Sequence, residues 1–408
     1  MKRVTLLPFL LLGLQGCGLF RTNIVTLWTN RAEMAAYTEY FNSLQNGIRI
    51  QIVYKPSPAQ AMLERKETPD LVLGEWLCGS ALMGRFEPLE ELFTQKKLNR
   101  TSFYKALLVS GQQDKKQVLL PVSFTLPAVA FQPRNLKNPA PNLLLPLEFL
   151  KDQGAQFNQR ARDNTKRLGF SPLWSRNFLY LGCVLLGAGF REGNSQTVSW
   201  NQEALQNGLR FFRSWVEETN GGYAAEREFM EKYLVEPLAK LLDENRILFH
   251  LMDSPYFFQI MEEQKEDTDF RWLAYDNRIC VDEEILFLGL PKKARQRQGA
   301  RQFIEWFFQE ETQRELLKLN QRKRLRAFGI VGGFSSLRSI NEIEVPQLYP
   351  LFIGRIPAED FLCFPGPLPT DWGELKRQVV VAWLYDATVS AGEPGKLEAL
   401  IKAFRAKK

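Results

Sequence analysis

The sequence predicts an α/β protein of two lobes, with the chain crossing between them more than once. Three observations carry that expectation. At 408 residues the chain exceeds what one hydrophobic core usually organises, so two or three domains are required. β-Branched runs alternate with segments apolar at helical spacing, the pattern of strand–helix–strand units with parallel sheets and right-handed crossovers. No internal repeat and no low-complexity linker interrupts that alternation.

The elements follow in order. Asn23–Trp28 (NIVTLW) reads as a buried strand. Glu33–Leu44 is a helix with Met34, Tyr37, Phe41 and Leu44 on one face, stopped by Asn46-Gly47. Ile48–Tyr54 alternates as a second strand, Pro56–Lys66 is helical, and Asp70–Leu73 is a short third strand. Val118–Leu120 and Ala128–Phe131 are strands, and Pro146–Gly154 is a helix. Leu168–Leu173 leads into Phe178–Phe190, an uncharged stretch too short to span a bilayer and therefore a core helix. Asn201–Glu218 turns Leu205, Leu209, Phe212 and Val216 inward and ends at Asn220-Gly221-Gly222. Ile247–Met252 and Ile285–Leu290 are strands; Ala300–Phe308, Glu311–Leu319, Leu375–Ala387 and Lys396–Ala406 are helices.

Composition narrows the function. Apolar residues at 45% and charged residues at 24% exclude wholesale disorder, a collagenous fibre and a multispan membrane protein. The net charge of +7 falls to +5 once Lys2 and Arg3 are discounted with the leader described below. That is too mild for a dedicated nucleic-acid binder. One histidine, His250, removes most His-based catalysis and most His metal sites. The cysteines at 17, 78, 183, 280 and 363 show no CxxC spacing, so neither a zinc ribbon nor a thioredoxin-type motif is expected. Gly187-Ala188-Gly189 followed by Gly193 misses the dinucleotide fingerprint by one residue. No cofactor and no metal is expected. Nine tryptophans are more than packing alone tends to use.

The first residues are an address. Met1–Arg3 is a positive n-region, and Val4–Leu14 is an apolar core of signal-peptide length. It meets Leu14-Gln15-Gly16-Cys17, which resembles the bacterial lipobox, with Gln15 departing from the usual small residue. The expectation is a signal peptide over 1–16, acylation (palmitate among the chains) of Cys17, and a lipid-anchor segment over 17–22. More than one acyl chain makes such an anchor stable.

Several phrases then resemble the bacterial extracellular solute-binding proteins of the maltose-binding type. They are the lipobox, IVTLW followed by Thr29-Asn30, Thr68–Leu73 (TPDLVL), Gly84–Leu89 (GRFEPL), Val118–Ser123 (VLLPVS) and Ala300–Leu317 (ARQFIEWFFQEETQRELL). They cover nearly the whole chain after Cys17 in the family's order. Thr68 stands where the family has Gly, and Leu120 where it has Tyr or Gly. The resemblance implies a two-lobed periplasmic-binding-protein-like fold (type II) around a hinge. Lobe one would comprise 23–122 and 284–340, and lobe two 123–283 and 341–408. It implies a monomeric, non-enzymatic, exported lipoprotein that captures a small solute, a sugar or oligosaccharide, and delivers it to the permease of an ABC importer. No nucleic acid is a partner.

A sugar site needs flat aromatic faces and planar hydrogen-bonding groups, and open α/β sheets bind at the carboxyl ends of strands. Trp28 and Asn30 end the first strand; against them stand a core indole and a helix cap. Glu75 and Trp76 follow the third strand, while Asp70 is expected to fix its loop. The resemblance places Trp174 and Arg176 on the cleft from the second lobe, together with Asp253 and Tyr256 and, near the C-terminus, Trp372 after the helix cap Asp371. A solvated helix start for Arg176 and a helix cap for Asp253 stand beside those roles. Asp282-Glu283-Glu284 raises a rival reading, an exported carboxylate-dependent glycan hydrolase. Neighbours in an extended segment point apart, so no converging pair is expected. Lys292–Arg301 and Arg322–Arg326 read as solvated basic faces. A lipoprotein of this fold serving assembly or adhesion is a third reading. Cys183 reads as packing; the pairing of Cys78, Cys280 and Cys363 is left open.

Overall fold

The β-branched run at Asn23–Thr29 lies inside a six-stranded sheet, the larger of the two main sheets, between parallel neighbours Ile48–Tyr54 and Leu71–Gly74. This is a computed structural model, and it describes residues 23–45, 47–64, 66–161, 164–193, 197–254, 267–390 and 395–407. The leader, Cys17 and Tyr256 lie outside the described residues. Helices Glu33–Leu44 and Pro58–Glu64 make the two crossovers, as the alternating pattern requires. Asp70 ties this lobe together: its carboxylate accepts from Thr26 N at 2.9 Å and from Arg295 N and Gln296 N at 2.8 Å.

The sheet continues through Leu286–Gly289, Leu119–Phe124 and Phe334–Ser335, and here the expectation of parallel sheets fails. Leu286–Gly289 runs antiparallel to both its neighbours. It arrives from the second sheet rather than over a crossover helix, so nothing constrains it to run parallel. The second sheet is ordered Phe249–Asp253, Pro127–Phe131, Asp269–Ala274, Leu144–Pro146, and only its last pair is parallel.

The chain passes between the sheets three times. It leaves the first between Phe124 and Pro127 and returns between Cys280 and Leu286. After Ser335 it passes over again, and Leu362–Cys363 pairs with Ile279–Cys280. Each sheet has its own apolar layer: Val25, Leu71, Leu288 and Phe303 in one lobe, Phe178, Phe212, Trp215 and Leu384 in the other. Where the crossings run, Phe124, Phe328, Phe334, Phe352 and Trp272 pack ring to ring. The Trp272 indole N–H donates to Arg355 O at 2.7 Å.

The central helix of the second lobe runs over Arg176–Leu185, shorter than expected. Ser175 Oγ caps its start, and Gly187 and Gly189, at φ +97° and +57°, turn the chain away. Gln202–Ser214 is capped by Asn201, whose Oδ1 accepts from Ala204 N at 3.1 Å. Its Leu205, Leu209 and Phe212 are buried, as the spacing predicts. Cys183 is buried in the same core. No helix among the described residues is long and apolar enough to cross a membrane.

Candidate functional site

The first sheet's strands deliver their last residues to one rim: Thr29-Asn30-Arg31 after the first, Glu75-Trp76 after the third. Across from that rim stand Asp253, at the end of its strand, and Asp282–Glu284 on the returning crossing. A cleft of about 240 Å³ lies there. Its charged lining is Arg31, Glu33, Asp253, Asp282, Glu284 and Arg326, with Ser123, Thr125, Phe328 and Gly332 completing the wall.

Arg31 and Glu75 form an ion pair, and Glu75 is buried. Asn30 Nδ2 donates to Pro56 O at 3.3 Å and, at 3.5 Å, to Glu75. Asn30 Oδ1 and Arg31 Nε are shielded from solvent and have no partner among the described residues. Buried polar atoms are rarely left so, and here they sit at the strand ends where this fold class binds ligands. Asn30 is not the cap of the following helix, whose N-cap position is held by Ala32.

On the opposite wall sequence neighbours do point apart, but Asp282 and Glu284 both face the cleft, which corrects the expectation that no two of these carboxylates share a side. Asp282 and Glu284 flank a bend at Glu283, and both line the cleft. Asp282 Oδ1 also accepts from Glu284 N at 2.9 Å. Glu283 turns the other way and pairs with Lys376, both side chains nearly enclosed. Burial works against the Lys376 ammonium, but Glu283, Asp282 and Glu284 outweigh it and raise its pKa. Surrounding protein, with Asp282 beside it, pushes the Glu284 carboxyl up to about 7. Asp253 is raised for the same two reasons. Glu284 can therefore donate as well as accept near neutral pH.

The tryptophans do not stand free in this cleft. Trp28 is 4% exposed, with the Lys55 ammonium 4.4 Å from its ring centre. Trp174 is stacked on Phe229 at 5.9 Å and leans on Phe170 at 5.5 Å. Trp372 is wholly buried among Tyr180 and Phe190, a core side chain where a ligand contact was expected. The short helix it opens turns both Trp372 and Leu375 into the core, and that removes the indole from the cleft. Asp371 sits at the cap position, but its carboxylate is taken by Arg405, at 2.8 and 3.0 Å. Arg176 is exposed at its helix start with its guanidinium 5.1 Å from the Tyr385 ring centre.

Trp76 is different. It is half-buried and adopts φ +60°, an unusual backbone for a bulky residue. Its indole lies against Gly373, where a Cβ would come within 2.9 Å of Nε1. Three residues on, Gly79 packs so closely on Thr370 that a Cβ would meet its Oγ1 at 2.5 Å. Ser80 N and Oγ both donate to Glu192 at 2.8 Å. The loop after the third strand thus packs on both Glu192 and the stretch 370–373.

Of the residues expected at the site, Asp253 lines the cleft, Asn30 and Glu75 stand beside it through Arg31, and Trp76 follows Glu75 against Gly373. Arg31, Glu33 and Arg326 were not anticipated. Arg31 is the next residue past the strand-end pair Thr29-Asn30, and that position was its signal. Arg326 is exposed, as its basic run was read, yet it lines the cleft, and nothing in that run marks it for that place.

No protein-family model matches the chain, and no curated protein sequence matches it. Solved structures do. A cyclo/maltodextrin-binding protein complexed with maltotetraose is 12% identical with a TM-score of 0.64, over 95% of this chain and 97% of that one. An ABC substrate-binding protein from Listeria monocytogenes, in complex with cycloalternan, is 12% identical with a TM-score of 0.63, over 95% and 98%. A cyclic α-maltosyl-1,6-maltose binding protein from Arthrobacter globiformis is 16% identical with a TM-score of 0.61, over 94% and 97%. The fold is that of the two-lobed substrate-binding proteins, with several chain crossings between the lobes.

Proposed function

We propose that this chain is the solute-capturing component of an ABC importer. It holds a small hydroxyl-rich solute, a sugar or oligosaccharide, between two lobes and presents it to a membrane permease. The observation that carries the reading is the polar cleft at the strand ends of a two-lobed fold. The structural neighbours named above are proteins complexed with or named for oligosaccharides. In this reading Asp253, Asp282 and Glu284 take the solute's hydroxyls from one side, and Asn30 and Arg31 from the other. Trp76 supplies the aromatic edge. The lobes divide near residues 123, 284 and 341, at the crossings. Solute that touches both walls favours the closed arrangement, and the permease distinguishes closed from open by shape.

Export and anchoring rest on the leader: a charged start, an apolar core and Cys17 where acylation requires it. No reaction is proposed, because capture and release need none. The test has two parts. Native mass spectrometry of the freshly purified protein should find a bound saccharide. Titration of the identified or panel saccharides should produce saturable binding and compaction in solution scattering. A chain that binds none of a broad saccharide panel and never compacts would overturn the reading.

A further inference from the structure

Two cysteines that sequence spacing could not pair are brought together by the fold. Ile279–Cys280 and Leu362–Cys363 form a short parallel ladder in which Cys280 stands directly opposite Cys363. Val281 N donates to Cys363 O at 3.0 Å, so the register is held by the backbone. Adjacent strands lie about 4.8 Å apart, inside the roughly 4.4–6.8 Å Cα separation that a disulfide spans. Both thiols are free in this structure, and the remaining described cysteines, Cys78 and Cys183, lie on other elements. We propose that Cys280 and Cys363 are a disulfide-forming pair that staples the returning crossing to the C-terminal crossing.

The two sulfurs differ in a way that suits the chemistry. Cys280 is 7% exposed, whereas Cys363 is half-buried and reachable. Their mutual contact and the positive charge of Arg278 favour ionisation of Cys363, while that contact and burial disfavour it at Cys280. Cys363 is thus the more readily ionised of the two, and the thiolate is the nucleophile. It attacks a disulfide-bearing oxidant, forming a mixed disulfide and expelling one thiolate. With the Cys363 charge gone, Cys280 gives its proton to that thiolate or to solvent. Its sulfur then attacks the Cys363 sulfur, breaking the mixed disulfide and releasing the second half of the oxidant as a thiolate. Two thiols become one disulfide, and one disulfide becomes two thiols.

The staple has a functional address. Cys280 leads directly into Asp282 and Glu284 on the cleft wall, and Cys363 leads toward Thr370 and Gly373, which meet Gly79 and Trp76. Joining them ties the segment that carries the cleft carboxylates to the segment that packs on Gly79 and Trp76. An oxidant of this class acts on exported chains, so use of the staple in the cell rests on the export reading. Its chemistry in the purified protein does not.

The experiment treats the folded full-length chain with oxidised glutathione, then alkylates under denaturing conditions and maps peptides by mass. The expected result is one linked peptide pair, Cys280 with Cys363, and loss of two alkylatable thiols, with Cys78 and Cys183 still alkylated. Cys280→Ser should stall with glutathione on Cys363, and Cys363→Ser should leave Cys280 unmodified. Circular dichroism confirms that each variant folds. Linkage of any other pair, or a wild-type protein that keeps all its thiols or stalls as a glutathione adduct on Cys363, would overturn the proposal.

Discussion

Glu226→Gln should change how stability depends on pH, by an amount the structure sets. Glu226 lies in the first turn of helix Tyr223–Tyr233 and is wholly buried. Its carboxylate accepts from Ser171 Oγ and, at 2.6 Å, from Asn220 Nδ2, which also donates to Phe170 O at 3.0 Å. Burial pushes the carboxyl from its ordinary 4.5 up to about 7, against the pull of those two hydrogen bonds; Glu217 adds to the rise and Arg160 opposes it. The folded state therefore binds this proton more tightly than the unfolded chain does. The group's contribution is fully present below about 4.5 and is lost as pH rises through about 7. Each tenfold in proton affinity is about 1.4 kcal/mol, so the whole loss is roughly 3 kcal/mol.

The wild-type curve alone would hide this. Burial lowers His250 from 6.5 to about 4, so its contribution is present above about 6.5 and is lost as pH falls through about 4. The two residues act in opposite directions over much of the same range. The difference between wild type and Glu226→Gln cancels His250 and everything else the two share. Glutamine keeps the shape, accepting from Asn220 and donating to Ser171. Urea unfolding at a series of pH values, followed by far-ultraviolet circular dichroism, gives the stability of each protein. Relative to wild type, the variant should gain roughly 3 kcal/mol between about pH 4 and about pH 8. A difference curve flat across that interval would refute the argument that this carboxyl is held neutral by burial.

Trp372→Ala should cost about 3–5 kcal/mol of stability as a core truncation, whereas Trp76→Ala should cost about 1–3 kcal/mol and weaken saccharide binding; melting and titration of both variants separate the roles. Arg31→Ala leaves the buried Glu75 without its ion-pair partner and should destabilise the protein by roughly 1–3 kcal/mol in urea unfolding. It should also weaken binding, and unchanged affinity would remove Arg31 from the site. A panel of glycans incubated with the protein should show no cleavage; turnover lost in Asp282→Asn would instead make the converging carboxylates catalytic. Cys17→Ser should move the protein from the membrane fraction to the soluble exported fraction, and its retention with an uncut leader would contradict the anchor.

Much of the fold was legible because periodicity is a local signal. Asn23–Thr29, Glu33–Leu44 and Gln202–Ser214 each carry their buried face in their own spacing. The antiparallel insertion of Leu286–Gly289 was not legible, since its direction depends on where the chain had been before it. Strand Asp269–Ala274 (DFRWLA) was missed for a different reason. Arg271 interrupts its apolar run, yet that side chain is only 12% exposed because Asp269 pairs with it at 2.8 Å. Neutralisation by a neighbour made a charged residue fit a sheet.

The site was half legible, and its aromatics show why. Phe170 packs on both Trp174 and Phe178 although a loop and a single 3-10 turn separate them, and Trp372 shares a face with Leu375 three residues on. Trp174 is held by contacts that no helical period announces, whereas the Trp372–Leu375 spacing could have been read as a buried face. Trp76 follows a four-residue strand and sits at positive φ. Several of the charged residues that reach the cleft share its situation. Arg31 and Asp253 lie at or just beyond the end of a strand, and Asp282 and Glu284 lie between two strands. There the backbone ladder stops and no periodic face claims the side chain. Where a strand ends decides the cleft's chemistry here, more than which residues are aromatic.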